Sequence, residues 1–364
     1  MHDVVVVGGG VIGLSIAREV AAHGRSVLVL DRGTSGESAS WAAAGLLAPQ
    51  SEAQQSDSFF RLCTASLRMY RAWTDHLREQ TGVDSEYVDC GLLYIASSQE
   101  ELAVLRHRIE WQRAEGFAAD LLTPEDVGKL EPLLTAPIAG AVWMPWEHHV
   151  TPRRLLKALR AACTARGVEI RSGRRVQEVL RSGDRVDAVR AGGERIPAGC
   201  VVVASGVWSS EIAGLHPQIP VHPRKGQILS LAMQGQCLRR MIRWQHAYFV
   251  PRRDGELIVG ATDEEAGFDR SLTPAGIGGL LSQAQQLSSH TASYPIVEMW
   301  TGLRPATPDG LPVLGQAGLE GLLYATGHYR NGILLAPITA SIVATLVDGR
   351  TPDLPLKAYA PSRF

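Results

Sequence analysis

The chain has little that would mark a secreted or metal-binding protein. Five cysteines are spread over 364 residues without a Cys-x-x-Cys pair, and no histidines cluster at metal-ligand spacing. We therefore expect no metal site and cysteines that are reduced and mostly buried, namely Cys63, Cys90, Cys163, Cys200 and Cys237. No basic segment or small-residue cleavage site precedes the apolar run at 4–7, which predicts a cytoplasmic protein.

The chain also lacks an excess of either charge and any apolar run of membrane-spanning length. Lys and Arg number 36 against 37 Asp and Glu, so no long-range field would attract nucleic acid or anionic lipid. Apolar residues make up 45% and charged residues 20%, which is typical of soluble globular proteins. No internal repeat or low-complexity segment is present, and the length favours two domains.

The first 31 residues have the pattern of a strand, a helix and a second strand. A β-branched run at 4–7 predicts a strand buried on both faces, 11–23 has helical spacing, and 26–30 predicts the next strand. Gly8-x-Gly10-x-x-Gly13 lies at the first turn, and Asp31 follows Gly13 by 18 residues. This arrangement predicts a pyrophosphate at the helix N-terminus and a ribose at the carboxylate. A purely structural glycine turn is the alternative.

Two later segments favour FAD over NAD as the dinucleotide. Residues 42–47, Ala-Ala-Ala-Gly-Leu-Leu, form a small-residue stretch, and the glycine-bounded turn 327–332 precedes an apolar helix. A flavin ring needs a flat slot with small walls, and a second helix N-terminus would stabilise the negative charge of the reduced ring. A nicotinamide needs little of this.

The remaining patterns predict the fold class and its domains. Short alternating runs beyond Pro220 predict antiparallel sheet, whereas the last 40 or so residues return to a strand, a turn and a helix. We predict an α/β protein with a discontinuous Rossmann-like FAD-binding domain and a second, substrate-binding domain built on an antiparallel sheet plus helices. The expected segments are 1–85, 145–215 and 302–364 for the first domain, and 86–144 and 216–301 for the second.

Several motifs resemble one family along essentially the whole chain. They are the N-terminal Val-Gly-Gly-Gly-Val-Ile-Gly, Trp-Ala-Ala-Ala-Gly-Leu-Leu-Ala-Pro at 41–49, Ala-Ser-Gly-Val-Trp-Ser at 204–209, Gly-Leu-Arg-Pro at 302–305, and Gly-His-Tyr-Arg-Asn-Gly-Ile-Leu-Leu-Ala-Pro at 327–337. The sequence resembles the glycine oxidases of the thiamine pathway, within the D-amino-acid oxidase and sarcosine oxidase superfamily. The resemblance implies an FAD domain and a substrate domain whose antiparallel sheet covers the flavin.

The glycine motif and the resemblance together give a set of expected site residues. The resemblance assigns Arg304 to the substrate carboxylate, with Tyr248 and Arg330 beside it, and a guanidinium suits that role because it matches a carboxylate with two parallel bonds. The expected cofactor-binding residues are Gly8, Gly10, Val11, Ile12, Gly13, Asp31, Arg32, Ala39, Ser40, Ala44, Gly45, Leu46, Val176, His328, Tyr329, Arg330, Asn331, Gly332, Ile333 and Leu334.

The implied reaction converts glycine, O2 and water into glyoxylate, ammonia and hydrogen peroxide by hydride transfer from Cα to flavin N5. It would also supply glycine imine for the thiazole ring of thiamine. Alternative substrates are sarcosine, other N-substituted glycines and small D-amino acids. A flavin dehydrogenase with another acceptor and a non-catalytic FAD-binding module are the alternatives of other classes.

Three further expectations accompany the resemblance. No cysteine follows Cys237, so we expect non-covalent FAD rather than a thioether to the flavin. Asp263 stands where some relatives have Met near the substrate, and it would disfavour bulky apolar substituents if it faced the pocket. Relatives also suggest a homo-oligomer, a tetramer.

Overall fold

The computed structural model describes residues 2–33, 39–235, 237–316 and 318–364. The strands in these ranges are β1 (His2–Val7), β2 (Val27–Asp31), β3 (Leu46–Leu47), β4 (Leu92–Ala96), β5 (Asp120–Leu122), β6 (Gly140–Met144), β7 (His148–His149), β8 (Glu169–Ser172), β9 (Val176–Ser182), β10 (Arg185–Ala191), β11 (Glu194–Val203), β12 (His222–Ala232), β13 (Met241–Trp244), β14 (Ala247–Pro251), β15 (Glu256–Gly260), β16 (Ile296–Ala306), β17 (Val313–Gln316) and β18 (Leu322–Thr326). The α-helices are α1 (Val11–Ala22), α2 (Ala39–Ala42), α3 (Pro49–Glu52), α4 (Ser58–Thr81), α5 (Gln99–Ala114), α6 (Pro124–Leu130), α7 (Pro152–Ala165), α8 (Pro274–Leu287) and α9 (Ala336–Val347). Short 3₁₀ helices lie at Gly206–Glu211, Ser289–Ser293, Tyr329–Asn331, Lys357–Tyr359 and Pro361–Arg363.

The first large sheet has the strand order β17-β18-β11-β1-β2-β8, with β9 and β10 attached through β11. Strand β1 pairs in parallel with both β2 and β11, and β2 and β11 continue in parallel to β8 and β18. Parallel strands with connecting helices are the signature of a doubly wound sheet. The α/β class is therefore confirmed.

Strand β1 divides its side chains between two cores. Val4 and Val6 belong to a cluster that also contains residues of α1, α4, α7 and α9, whereas Val5 and Val7 belong to a cluster on the opposite face. All four are at most 4% exposed, as expected for a strand covered on both sides. Each buried valine contributes roughly 1.5–3 kcal/mol of transfer free energy, so the glycine turn begins from a rigid strand.

The second large sheet has the order β16-β12-β15-β14-β13-β4-β6-β5. Its pairs are antiparallel as expected, with one exception: β13 and β4 run in parallel, with Arg243 opposite Tyr94. The exception arises because β4 enters from a distant part of the chain rather than through a hairpin turn.

Helix prediction succeeds where the capping residues are clear. Helical spacing of apolar residues predicts a helix over about 57–82. The Asp57 side chain accepts the Phe60 amide at 2.8 Å, and Gly82 ends α4 with φ of +70°. The sequence pattern does not predict helix α8, because Gly276, Gly278 and Gly279 have low helix propensity and interrupt the apolar spacing. Thr273 nevertheless caps the helix. The Gly, Ser and Ala content of 33–49 predicts a loop, but this segment contains α2 and β3, and its residues 34–38 lie outside the described part.

A carboxylate distant in sequence holds the short helix α3. The N-cap residue of α3 is Ala48, which has no side-chain cap, and Pro49 has no amide to donate. Glu147, in the turn after β6, accepts the Ser51 amide at 2.9 Å, and its Oε2 has no hydrogen-bond partner among the described residues. Burial raises the pKa of Glu147 to about 7, against the lowering effect of the Ser51 amide. Glu147 thus fixes α3, whose last residue is Glu52.

This burial gives a prediction for stability against pH. Because the pKa of Glu147 is above its ordinary value, the folded protein favours the protonated carboxyl group. The contribution of this group to the free energy of unfolding is full below pH 4.5 and is lost as pH rises through about 7, where the buried carboxyl must ionise. Glu147→Gln cannot ionise, so the fall in the free energy of unfolding between pH 5 and pH 8 should be roughly 2 kcal/mol smaller than in the wild type. Urea unfolding at each pH, at one fixed protein concentration, measures this difference. Exposed Glu79→Gln is the control, and equal pH dependence in Glu147→Gln and the wild type would contradict the assignment.

Candidate active site

A long cleft begins at the carboxyl ends of β1 and β2 and extends along the second sheet to Tyr248 and Arg304. It encloses about 1710 Å³, part of which is continuous with solvent. Its lining residues run continuously from the nucleotide corner to Arg304, an arrangement that suits a dinucleotide with a small substrate at its far end.

The glycine turn is shaped by close backbone approach. Gly8 has φ of +116°, and a Cβ there would lie 2.4 Å from the Ala204 carbonyl oxygen. A Cβ at Gly9 would lie 2.5 Å from Asp31 Oδ2, and one at Gly13 would lie 1.9 Å from the Gly8 carbonyl oxygen. Side chains are thus excluded where the N-terminus of α1 meets the cleft. The free amides and partial positive charge at such a terminus fit a pyrophosphate.

Two polar side chains complete this corner. Asp31, at the end of β2, lines the cleft and accepts the Gly33 amide at 3.3 Å. Ser40 Oγ accepts the Val11 amide at 3.0 Å and so fixes α2 to the start of α1. A carboxylate held here can accept hydrogen bonds from ribose hydroxyls, so the corner fits the nucleotide half of FAD.

Arg32 closes the same end of the cleft. Its guanidinium lies 4.3 Å from the Trp208 ring centroid and 3.7 Å from Glu211 Oε2, both in the 3₁₀ helix after β11. The cation–π contact and the ion pair leave Arg32 attached to the wall of the cleft.

The small residues at 42–45 pack closely against neighbouring segments. Gly45 has φ of +82°, and a Cβ there would lie 2.1 Å from the Val150 carbonyl oxygen. A Cβ at Gly302 would lie 2.6 Å from Ala42 Cβ. Buried Arg252 donates to the carbonyl oxygens of Ala44 and, at 2.7 Å, Val150. The wall is therefore narrow and fixed, which fits a flat ring.

Arg304 and Tyr248 meet at the other end of the cleft. Arg304 Nη1 donates to the Thr262 carbonyl oxygen at 3.1 Å, and its guanidinium lies over Gly226, where a Cβ would come within 2.5 Å of Nη2. Burial raises the pKa of Tyr248, although the adjacent Arg304 guanidinium lowers it in part. The phenol therefore stays protonated and can donate beside a guanidinium, a pairing that suits a carboxylate.

Asp263 lies behind this pair. Its carboxylate accepts from Arg224 Nε at 3.0 Å and from the Tyr329 hydroxyl at 2.8 Å, and it is 3.8 Å from Arg304 Nη1. Partial burial raises its pKa, but the hydrogen bonds from Arg224 and Tyr329 lower it more, so the carboxylate is ionised. Asp263 is not among the cleft-lining residues and acts on the site through Arg304 and Tyr329.

Sequence reasoning missed two charged residues at this end, Glu52 and Arg243. Arg330 Nη2 donates to Glu52 Oε1 at 3.2 Å, and Arg243 Nη1 donates to the same oxygen. Glu52 lines the cleft, and Arg243 lies behind it on β13. Glu52 and Arg243 are 191 positions apart, so no local pattern could have indicated the contact.

His328 lines the cleft as a neutral group. Its ring is buried, and Nε2 lies 3.0 Å from Thr339 Oγ1. Burial lowers its pKa to about 3, so it carries no charge near neutral pH. We therefore expect the His328 ring to form an uncharged part of the cleft wall.

The structure brings nearly all the expected site residues to one cleft. Arg304, Tyr248, Arg330 and the expected cofactor residues line it, except Gly13 and Leu334. Gly13 packs against Gly8, and Leu334 is 1% exposed, with its carbonyl oxygen accepting from Ser66. Ala42 and Ala43, from the predicted small-residue stretch, also line the cleft, and further lining residues outside the expected set include Arg174, Arg175, Trp208, Glu211, Gly226, Ile228, Gly302 and Leu303.

The described residues provide neither a metal centre nor a membrane span. In that part of the chain, no group of three or more His, Cys, Asp or Glu side chains could hold a metal ion. None of the described helices combines the length and apolar character needed to cross a membrane.

Known proteins resemble the chain along its length. Residues 3–346 match the family model described as DAO, FAD dependent oxidoreductase. A bifunctional protein ThiO/ThiG of Trichormus variabilis is 39% identical over 100% of this chain, which spans only 55% of that relative. A glycine oxidase of Pseudomonas aeruginosa is 35% identical, with 99% of this chain and 98% of the relative covered. The crystal structure of glycine oxidase from Geobacillus kaustophilus superposes with a TM-score of 0.95 at 33% identity, covering 100% of this chain and 99% of that one. The chain belongs to the family of FAD dependent oxidoreductases.

Proposed function

We propose that the protein is a glycine oxidase, which converts glycine, O2 and water into glyoxylate, ammonia and hydrogen peroxide. The observation that carries the proposal is the pairing of Arg304 with a protonated Tyr248 at the end of a cleft that begins at a dinucleotide-binding corner. The relatives named glycine oxidase support it, since they align with nearly the whole chain. The imine formed before hydrolysis would supply the thiazole ring of thiamine.

The substrate end is suited to a small amino acid held by its carboxylate. Arg304 would bind both carboxylate oxygens while the Tyr248 hydroxyl donates to one of them. Arg304 is itself fixed by the Thr262 carbonyl oxygen and by Gly226, so it loses little freedom on binding. A carboxylate fixed at one end orients the substrate Cα, and positioning of this kind is a large part of catalysis.

The same cleft would hold FAD without a covalent bond. The Gly8–Gly10 turn would face the pyrophosphate, Asp31 the ribose, and residues 42–46 and 328–333 the flavin ring. Bound FAD would be the two-electron acceptor for the substrate, and O2 would reoxidise the flavin.

We assign segments 1–85, 145–215 and 302–364 to the cofactor domain and 86–144 and 216–301 to the substrate domain. A homo-oligomer in the cytoplasm completes the proposal, and the free state of all five cysteines fits that compartment.

The direct test is reduction of the flavin by the substrate. Glycine added without oxygen should bleach the yellow holoenzyme, and air should restore the colour with formation of hydrogen peroxide. Sarcosine, another N-substituted glycine and D-alanine, tested at equal concentrations, rank the alternatives. Bleaching without recovery in air would indicate a dehydrogenase, and no bleaching by any of these would remove the oxidase assignment.

Arg304→Ala should raise the KM for glycine roughly 10- to 100-fold, because it removes a charge-assisted contact with the carboxylate. The flavin spectrum should be retained, since the cofactor corner is at the other end of the cleft. Steady-state peroxide formation measures the effect, with Arg304→Lys expected to be intermediate. An unaltered KM in Arg304→Ala would exclude Arg304 from substrate binding.

Asp31→Ala should weaken FAD binding about tenfold or more, because the ribose loses a charged acceptor. Equilibrium dialysis with absorbance at the flavin band measures the retained fraction. Asp3→Ala is the matched control, since Asp3 also lies at a strand end but bonds Ser26 outside the cleft. Equal retention in both variants would contradict the ribose contact.

A further inference from the structure

Three charged side chains from different elements form a cluster at the substrate end. Glu52, the last residue of α3, accepts from Arg243 on β13 and from Arg330 in the 3₁₀ helix after β18. Arg330 Nε is also 3.2 Å from Glu52 Oε2, so both carboxylate oxygens are paired. Two guanidiniums share one carboxylate, which leaves the cluster with a net charge of +1.

None of the three side chains in the cluster changes its protonation state near neutral pH. Burial raises the pKa of Glu52, but Arg243 and Arg330 lower it more, so the carboxylate stays ionised. Burial lowers the pKa of Arg243 and Arg330, but Glu52 raises each of them above its ordinary value. The positive charge is therefore permanent under working conditions.

The surrounding groups do not cancel this charge. Arg304 adds a second cation in the cleft, and the ionised Asp263 behind it is bonded to Arg224. Glu147, beneath α3, is partly protonated at neutral pH because burial raises its pKa to about 7. Of the described groups close to the cluster, Cys63 on α4, Tyr248 on β14 and Tyr329 next to Arg330 have pKa values raised by burial and therefore stay protonated and neutral. The guanidiniums of Arg108 on α5 and of Arg243 both lie over the Tyr94 ring on β4.

No described lining residue at this end is placed to remove a proton. Glu52 is occupied by two guanidiniums, Tyr248 is protonated, and His328 is bonded to Thr339. Yet the α-amino group of a free amino acid is protonated at neutral pH, and an ammonium has no lone pair to form the C=N bond of the imine. The site must therefore favour loss of this proton by some other means.

We propose that the net positive charge of the Arg243–Glu52–Arg330 cluster holds the substrate amine in its neutral, reactive form. The ammonium proton leaves to solvent as glycine enters, because a cation is disfavoured near a permanent positive charge. Arg243 thus acts without touching the substrate, as a residue that sets the electrostatics of the site. The inference rests on the proposed glycine oxidation.

The test uses two substitutions with opposite expected effects. In Arg243→Gln the cluster loses its net charge, so the pH at which the rate of anaerobic flavin bleaching rises, at saturating glycine, should move up by roughly one pH unit. In Glu52→Gln the cluster gains charge, and the same rise should move to lower pH. A merely structural role would slow both variants without opposite shifts.

The matched controls separate charge from packing. Arg243→Lys keeps the charge, and its profile should coincide with that of the wild type. Arg190 and Glu178 form an ion pair with a 3.0 Å contact outside the cleft lining, so Arg190→Gln and Glu178→Gln make the same charge changes at a distance. Neither should shift the profile.

Proton release supplies a readout independent of turnover. Holoenzyme reduced beforehand with dithionite can bind glycine but cannot oxidise it, and calorimetry in buffers of different ionisation enthalpy counts the protons released. At one fixed pH, fewer protons should be released by Arg243→Gln and more by Glu52→Gln than by the wild type.

The outcomes distinguish this inference from the proposed function. If glycine fails to bleach the wild-type flavin, the proposed function is wrong. If glycine bleaches it, but Arg243→Gln and Glu52→Gln leave the pH profile and proton release unchanged or shift them in the same direction, only the electrostatic role is overturned.

Discussion

The buried Arg252 guanidinium is the contact on which the geometry of the cleft depends. It follows β14 in the second sheet, yet its hydrogen bonds go to Ala44 and Val150 and, at 3.0 Å, to His149 Nδ1. Burial lowers the pKa of Arg252 to about 10, so it remains charged near neutral pH. A buried charge without these acceptors would be strongly destabilising, and the small-residue wall is thereby held against the second sheet.

The two ends of the cleft are built by different means. The nucleotide end is formed almost entirely by backbone. Because Gly8 and Gly9 have no side chains, the turn can lie close to Ala204 and Asp31. At the other end, ionised side chains fix one another in pairs: Arg304 with Asp263, and Arg330 with Glu52. Backbone amides can bind phosphate with little reorganisation, whereas side chains paired with one another present their charges at fixed positions.

The sequence predicted those features whose cause is local. The Gly8–Gly13 turn, Asp31 and the limits of α4 depend on residues a few positions apart, and the structure places them as expected. The resemblance supplied Arg304 and Tyr248, which lie on strands that could not have been paired from periodicity alone. Glu52 and Arg243 could not be predicted, because their meeting depends on how β13, α3 and the turn after β18 are brought together. The parallel pairing of β4 with β13 is nonlocal in the same way.

The division of β1 between two cores links the glycine turn to both faces of the first sheet. Val4 and Val6 need one layer of helices, and Val5 and Val7 need the layer on the opposite face, before the strand can hold the glycine turn at its end. Neither layer alone would give the turn its shape. The glycine turn therefore has its shape only when both layers are packed, and FAD bound there would stabilise the two cores together.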